Sequence, residues 1–500
     1  MPAKTARISI EVAQRAAPGF PRDKTSASEV AVPMRRLNSI VRHEWPGRSA
    51  GVALLLLSVA ALVAPCAAAR GKVAARALSA RHVVLISVDG MGASWYVAPP
   101  PGLATPNLTR LKTEGSFAEA VEGVYPTVTY PSHTTIVTGR MPAGHGVYSN
   151  LSSRVAGKNP RDWFWFAKAI QAPTLWDEAR KAKLTTASVF WPVTAGADID
   201  WDIPEIWDPQ KGAIADPLYV ARFATPGLLL EASMALGAPP AGQDRDTTIA
   251  QLAGHLLRKY KPNLLLVHFE LLDEVEHQHG PGSTEALAMM ARIDARIGDI
   301  LAADRDAGLA DATDVFIVSD HGFLPVEREI QPNVLLARAG FFTLDPKGHI
   351  VSGKIQTVSN GGSFFIYWPE GENLRAQIGR ALCPLFDQGL AWAVFDNQAL
   401  LDLGAEPAAE MALDAPTGAA FDDAAVGDLV VGRKSPGGAH GFLPFRKGLE
   451  SSFIAWGPDI RGGVNLRRIR MTAIGPTILK VMGVDDPAFG DHPPLMEIVK

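Results

Sequence analysis

Three short runs of the chain are apolar at nearly every position, and each leads into an acid. Val83-Val84-Leu85-Ile86-Ser87-Val88 ends at Asp89, Leu264-Leu265-Leu266-Val267-His268-Phe269 leads towards Asp273, and Val315-Phe316-Ile317-Val318-Ser319 ends at Asp320. A strand with one wet face alternates apolar and polar residues; one without alternation is buried on both faces, as in the parallel sheets of α/β proteins. The same pattern marks strands at 82–88, 264–269, 315–318 and 452–456, with helical stretches at 106–114, 173–182, 284–303 and 473–482 between or after them. This alternation predicts an α/β fold: a mostly parallel central sheet flanked by helices. All carboxyl ends of a parallel sheet point to one edge, where such folds bind ligands, so the three aspartates should converge there. Residues 325–435 are less regular and rich in Gly, Pro, Ala and Asp, and read as a cap or insertion on a core made of 82–324 and 436–500.

Export is the expectation from the first 69 residues. An uncharged stretch over 49–69, Leu-rich at Leu54 to Leu57, follows Arg35, Arg36, Arg42 and Arg48 and ends in Cys66-Ala67-Ala68-Ala69. A basic region, a short apolar heart and a small-residue cleavage site make a signal peptide, preceded by an N-terminal extension and followed by a linker over 70–81. A retained membrane anchor is the competing reading; the small-residue end favours cleavage and no stable span afterwards. Pro65 stands where a lipid-anchored cysteine would need Gly or Ala before it, and Met34 is an alternative start that would leave out residues 1–33. Cleavage would leave Cys383 as the one thiol, so the exported protein would fold without disulfides, which fits a bacterial periplasm or secretion.

Charge narrows the partners. Residues 1–69 hold nine Lys and Arg against four Asp and Glu, so the +5 there leaves −9 on the rest of a chain whose formal charge is −4. An acidic body has no electrostatic footprint for duplex nucleic acid. With 47% hydrophobic and 20% charged residues, the chain belongs with soluble globular proteins, not with disordered, collagenous or multi-pass membrane ones. Two cysteines cannot build a cysteine-based metal site, so any metal must be held by His and carboxylates. Asp273-x-x-x-His277 places two donors one helical turn apart, and Asp320-His321 presents two at a strand end. Such a set favours Zn2+ and would also accept Mn2+ or Co2+. His268 reads as an ordinary strand residue. In Tyr125-Pro126-Thr127-Val128-Thr129-Tyr130-Pro131-Ser132-His133, Thr129 precedes Pro131 and Gly139 can end the helix. A hydroxyl there lies in the positive field of a helix N-terminus, either as a helix cap or as a group that meets phosphate.

Read together, these segments resemble the nucleotide pyrophosphatase/phosphodiesterase branch of the alkaline phosphatase superfamily. The similarity is carried by Val84 to Gly90, Thr105-Pro106-Asn107-Leu108, Pro126 to His133, His145 to Asn150, Asp273 with His277 and Gly280-Pro281, Ser319-Asp320-His321-Gly322 and Gly438-Ala439-His440-Gly441. It runs in order from about residue 81 to 484. The resemblance implies an alkaline-phosphatase-like core and two Zn2+ ions. Asp89, Asp320 and His321, with the Thr129 oxygen, would hold one; Asp273, His277 and His440 would hold the other. Two cations about 4 Å apart stabilise the attacking and leaving oxygens of an in-line phosphoryl displacement. Thr129 would be the nucleophile, carrying the phosphoryl group until water hydrolyses it, and Asn150 would donate its amide to a non-bridging phosphate oxygen.

Departures from neighbouring branches narrow the expectation further. Sulfatases of this superfamily carry Cys or Ser as nucleophile with Arg four residues later, where this chain has Thr129 and His133. Monoesterases that share the Thr and Asn add a Lys-x-Arg pair for the extra charge; Lys158 and Arg161 have the wrong spacing. A small-molecule phosphodiester or nucleotide is therefore the expected substrate. A monoesterase or phosphonate hydrolase on the same metals, and a catalytically silent metal- or phosphate-binding protein, are the alternatives. Tyr130 is a candidate to stack on a base or apolar group, with Trp163, Trp165, Trp191, Trp201 and Trp207 nearby in sequence, although Trp176 and Trp191 sit in apolar stretches and suit packing. Oligomeric state is not legible.

Overall fold

The computed structural model describes residues 81–152, 163–208, 216–237 and 243–500. The expected export segment, the linker up to residue 80, and Lys158 and Arg161 lie outside them. The chain divides into two units, residues 1–76 and 77–500, and the second contains everything described below.

Seven strands form the central sheet: β1 (His82–Val88), β2 (Ser116–Phe117), β3 (Thr186–Val189), β4 (Trp201–Ile203), β5 (Leu264–Phe269), β6 (Thr313–Val318) and β7 (Phe453–Trp456). Their order is β2-β7-β6-β1-β5-β3-β4. β1 is central and parallel to both β5 and β6, β3 joins β5 and β4 in parallel, and β7 runs antiparallel to both its neighbours. The three acid-tipped runs are thus neighbours, as the absence of alternation predicts. β2, β3 and β4 are two to four residues long and carry Ser, Thr and Asp among their residues, so periodicity gives little sign of them.

Burial of both faces explains the unbroken apolar runs. Along β1, Val84, Ile86 and Val88 pack into one core and Val83 and Leu85 into another. The first core is closed by α3 (Arg245–Tyr260) and α5 (Thr284–Asp306) through residues such as Leu256 and Ile293; the second by α2 (Thr129–Thr138) and α6 (Ile474–Met482) through Ile136 and Ile478. Each fully buried Leu or Ile contributes roughly 1.5–3 kcal/mol through the removal of apolar surface from water. Two further helices matter for the site: α1 (Pro106–Glu114), which begins on a proline as expected, and α4 (Leu271–His279), which starts directly after β5. Ser283 caps α5, its hydroxyl accepting from the Ala286 N–H.

Residues 324–439 build three smaller sheets, one of them the two-stranded pair Phe342–Leu344 and Ile350–Gly353. Leu324–Ile330 lies between Gly418–Phe421 and Val430–Ala439, while Gln356–Ser359, Ser363–Tyr367, Met411–Asp414 and Ala393–Asp396 form an antiparallel sheet in that spatial order. They share a core of their own around Val326, Phe364, Leu382 and Leu413. The strand Val430–Ala439 ends immediately before His440 and so delivers that side chain to the carboxyl edge of the central sheet. Among the described residues no helix is long and apolar enough to cross a membrane.

Candidate active site

Sheet register brings the acids together. Ser87 pairs with Val318 and Val88 with Phe269, so Asp89 and Asp320 leave adjacent strands at the same edge. The turn after Asp89 needs glycine: Gly90 has φ +76°, a Cβ there would lie 2.7 Å from the Phe323 ring, and its N–H donates to Asp320 Oδ1 at 3.0 Å. Asp89, Asp320 and His321 form one cluster with ligand atoms within 4.8 Å of one another; Asp273, His321 and His440 form a second. His277, one turn along α4, joins the second cluster: its Nε2 is 3.5 Å from Asp273 Oδ2 and 3.1 Å from His440 Nε2. The two groups meet at His321, whose ring stacks on His440 at 3.8 Å.

The donor chemistry fits a cation. His277 Nδ1 donates to the Gly438 carbonyl and His440 Nδ1 to the Thr127 carbonyl, which leaves bare lone pairs on the two Nε2 atoms that face each other. Asp89 Oδ1, Asp273 Oδ1, Asp320 Oδ2 and both ring nitrogens of His321 are buried and have no hydrogen-bond partner among the described residues. Buried polar atoms are normally paired, and these share one focus. Burial, followed by repulsion from Asp320 and Asp273, pushes Asp89 well above the usual carboxylate range, and burial raises Asp273. Asp320 is driven up by burial but further down by the charge of His321, whose Nε2 lies 3.0 Å from Oδ2, so that it sits well below.

Thr129 opens α2 and is buried, with Val128 at the cap position and no side-chain cap bond, so its hydroxyl is not spent on the helix. His133 holds that first turn: Nδ1 donates to the Thr129 carbonyl at 2.8 Å and Nε2 meets Ser87 Oγ at 2.8 Å. Burial lowers the His133 pKa to about 3, which keeps the ring neutral. Asn150 Oδ1 accepts the Tyr130 N–H at 2.9 Å, which orients the amide so that Nδ2 is its remaining, donating end. Thr129, Asn150, Asp89, Asp273, His277 and His440 all line one cleft of about 230 Å3.

The cleft is also lined by aromatic and charged side chains: Tyr130, Trp163, Trp207, Glu205, Arg245 and Glu270. Tyr130 is fully buried, its ring edge-on to Trp163 at 5.3 Å and its hydroxyl donating to Glu205 Oε1 at 2.8 Å. Trp163 stands next to Trp207, which also meets Trp165. Trp201 stacks on Tyr260 instead, while Trp176 and Trp191 are core residues, Trp191 against His133. His268 is more than a strand residue. Its Nε2 is hydrogen-bonded to Asp89 Oδ2 at 3.1 Å, and its other nitrogen lies 3.2 Å from Glu205 Oε2. The signal for it was available, since a histidine inside a strand buried on both faces must find polar partners. Glu205 and Arg245 gave no such signal, because neither lies in a motif.

Fold and clustered donors together define a protein of the alkaline phosphatase superfamily. The chain belongs to the type I phosphodiesterase / nucleotide pyrophosphatase family, whose profile matches residues 83–380. It is 26% identical over 249 residues to mouse ectonucleotide pyrophosphatase/phosphodiesterase family member 1, covering 48% of this chain and 24% of that protein. It is 25% identical over 248 residues to venom phosphodiesterase 2 of Crotalus adamanteus, covering 48% and 26%. The chain thus spans about a quarter of the length of these curated relatives. Among solved structures it superposes on murine ectonucleotide pyrophosphatase / phosphodiesterase 5, an inactive threonine-to-alanine variant in complex with AMP, with a TM-score of 0.61 at 17% identity over 84% of this chain and 100% of that one. The human counterpart gives 0.59 at 18%.

Proposed function

We propose that this chain is an exported phosphodiesterase or nucleotide pyrophosphatase that holds two Zn2+ ions and hydrolyses its substrate through a phosphothreonine on Thr129. The observation that carries the reading is the meeting, in one cleft, of an uncommitted Thr129 hydroxyl, an oriented Asn150 amide and Asp89, Asp273, His277 and His440, members of two His/Asp clusters with bare ligand atoms. Asp89, Asp320 and His321 would hold one ion beside Thr129, and Asp273, His277 and His440 the other. When bound, the ions supply positive charge to the attacking and leaving oxygens. The chain's own residues do the rest. The N-terminus of α2 favours an anion next to Thr129, and His133 fixes the turn that aims it. Asn150 Nδ2 serves a non-bridging oxygen. A phosphodiester needs no further cation there, whereas a monoester would bring an additional charge to be paired.

Curated relatives carrying phosphodiesterase and pyrophosphatase in their names, and a structural relative solved with AMP, support a small phosphodiester or nucleotide as substrate. Residues 325–435 are proposed as a cap or insertion, from which the strand Val430–Ala439 leads into His440 of the core. Metal analysis of purified protein, paired with hydrolysis of bis-p-nitrophenyl phosphate, a nucleotide p-nitrophenyl ester, a p-nitrophenyl monoester and a phosphonate, tests the reading. Two zinc ions per chain, activity abolished by chelation and the diester preferred are the expected results. Full activity with one well-occupied metal refutes the two-ion site, and higher efficiency on the monoester refutes the substrate class.

A further inference from the structure

Next to the metal-ligand clusters lies a third group of buried polar side chains, Glu205, His268 and Glu270, whose ligand atoms also come within 4.8 Å of one another. It is not a third cation site: Arg245 already forms an ion pair with Glu270 there. The informative member is His268, almost fully buried on β5. Its Nε2 faces Asp89 Oδ2 at 3.1 Å. Its Nδ1 faces the Phe190 carbonyl at 3.2 Å and Glu205 Oε2 at 3.2 Å. With Asp89 on one side and the Phe190 carbonyl and Glu205 on the other, the ring is held from two directions. Asp89 is thereby left asymmetric, with Oδ2 taken and Oδ1 bare, 3.5 Å from His321 Nε2.

We infer that His268, braced from behind by Glu205, is a positioning residue that fixes the rotation of the Asp89 carboxylate and presents a single oxygen, Oδ1, to a metal held by Asp89, Asp320 and His321. The inference rests on the metal reading proposed above. Outer partners of this kind orient metal ligands, and their loss typically costs 10- to 100-fold in affinity. Glu205 has a second attachment, accepting the Tyr130 hydroxyl, so one carboxylate braces both the ligand Asp89 and the residue that follows Thr129.

The test is Zn2+ binding to the full-length apoprotein, measured by competition with a chromophoric chelator and independent of turnover. His268→Leu should weaken the Asp89/Asp320/His321 site 10- to 100-fold and leave the Asp273/His277/His440 site at wild-type affinity, while His268→Gln, which keeps one amide donor, should recover part of the loss. Two sites of wild-type affinity in the Leu variant overturn the inference alone. Equal weakening at both sites also overturns it, since that is the mark of a packing defect. Wild-type protein that binds no zinc overturns the metal reading and this inference together. Should His268→Leu fail to fold, Glu205→Gln decides: several-fold weakening confined to the same site supports the role, and unchanged affinity removes it.

Discussion

The two ends of the central sheet bury polar side chains in opposite ways. At the amino end nearly every group has a protein partner: His82 Nδ1 meets the Pro262 carbonyl at 2.8 Å, Thr313 Oγ1 donates to Asp304 Oδ1 at 2.8 Å and Asn263 Nδ2 donates to the Arg81 carbonyl at 2.9 Å. At the carboxyl end, Asp89, Asp273, Asp320 and His321 carry bare atoms. Asp314 and Asp320, at opposite ends of one strand and its extension, make the contrast concrete. Asp314 accepts the Asp459 N–H with Oδ1, leaves Oδ2 without a partner, and is pushed by burial to a pKa of about 7, so it keeps its proton well above the usual carboxylate range. Asp320 is held in its charged form by His321. Unmatched polarity is tolerated at one end by protonation and at the other is aimed at something outside the chain.

That comparison yields three predictions beyond the tests already given. The largest concerns Thr129→Ala, expected to lower turnover by at least about a thousandfold while both metals stay bound, with Thr129→Ser retaining part of the rate. Comparable turnover of a diester by the Ala variant would show that water attacks directly and that the carboxyl end does not use this hydroxyl. Next in size is Asn150→Ala, which should slow diester hydrolysis by roughly ten- to a thousandfold, the range for losing one preorganised donor, with thermal stability nearly unchanged. A variant as fast as wild type would remove Asn150 from the site. The smallest effect belongs to the amino end. Asp314 binds its proton more tightly folded than unfolded, so its contribution to stability is complete below about pH 4 and is lost as pH rises to its folded pKa of about 7. Asp314→Asn keeps the oxygen that accepts from Asp459 but cannot ionise. Its melting temperature should match wild type near pH 4 and exceed it by a few degrees at pH 8. Parallel melting curves across that range would show that Asp314 is not the protonated acid described here.

Sequence alone determined the parallel centre of the sheet, because a strand covered on both faces must be apolar throughout, and the runs ending at Asp89 and Asp320 meet that demand. It also set the family, through motifs that recur in order, and supplied Thr129, Asn150 and the His/Asp donors as candidates for one edge. The helical stretches at 106–114 and 284–303 were legible and α1 and α5 begin where they do, on Pro106 and Thr284. Tertiary structure alone decided what those candidates touch. Two bare Nε2 atoms 3.1 Å apart on His277 and His440 are a fact about residues 163 positions apart, joined by a strand from the smaller sheets. Tyr130 looks available from its place beside Thr129, yet its ring lies under Trp163 and its hydroxyl is bound to Glu205, which no motif announces. The short strands β2 to β4 were hidden for a related reason: their residues are held by neighbours distant in the chain, and periodicity over two to four positions is too brief to register.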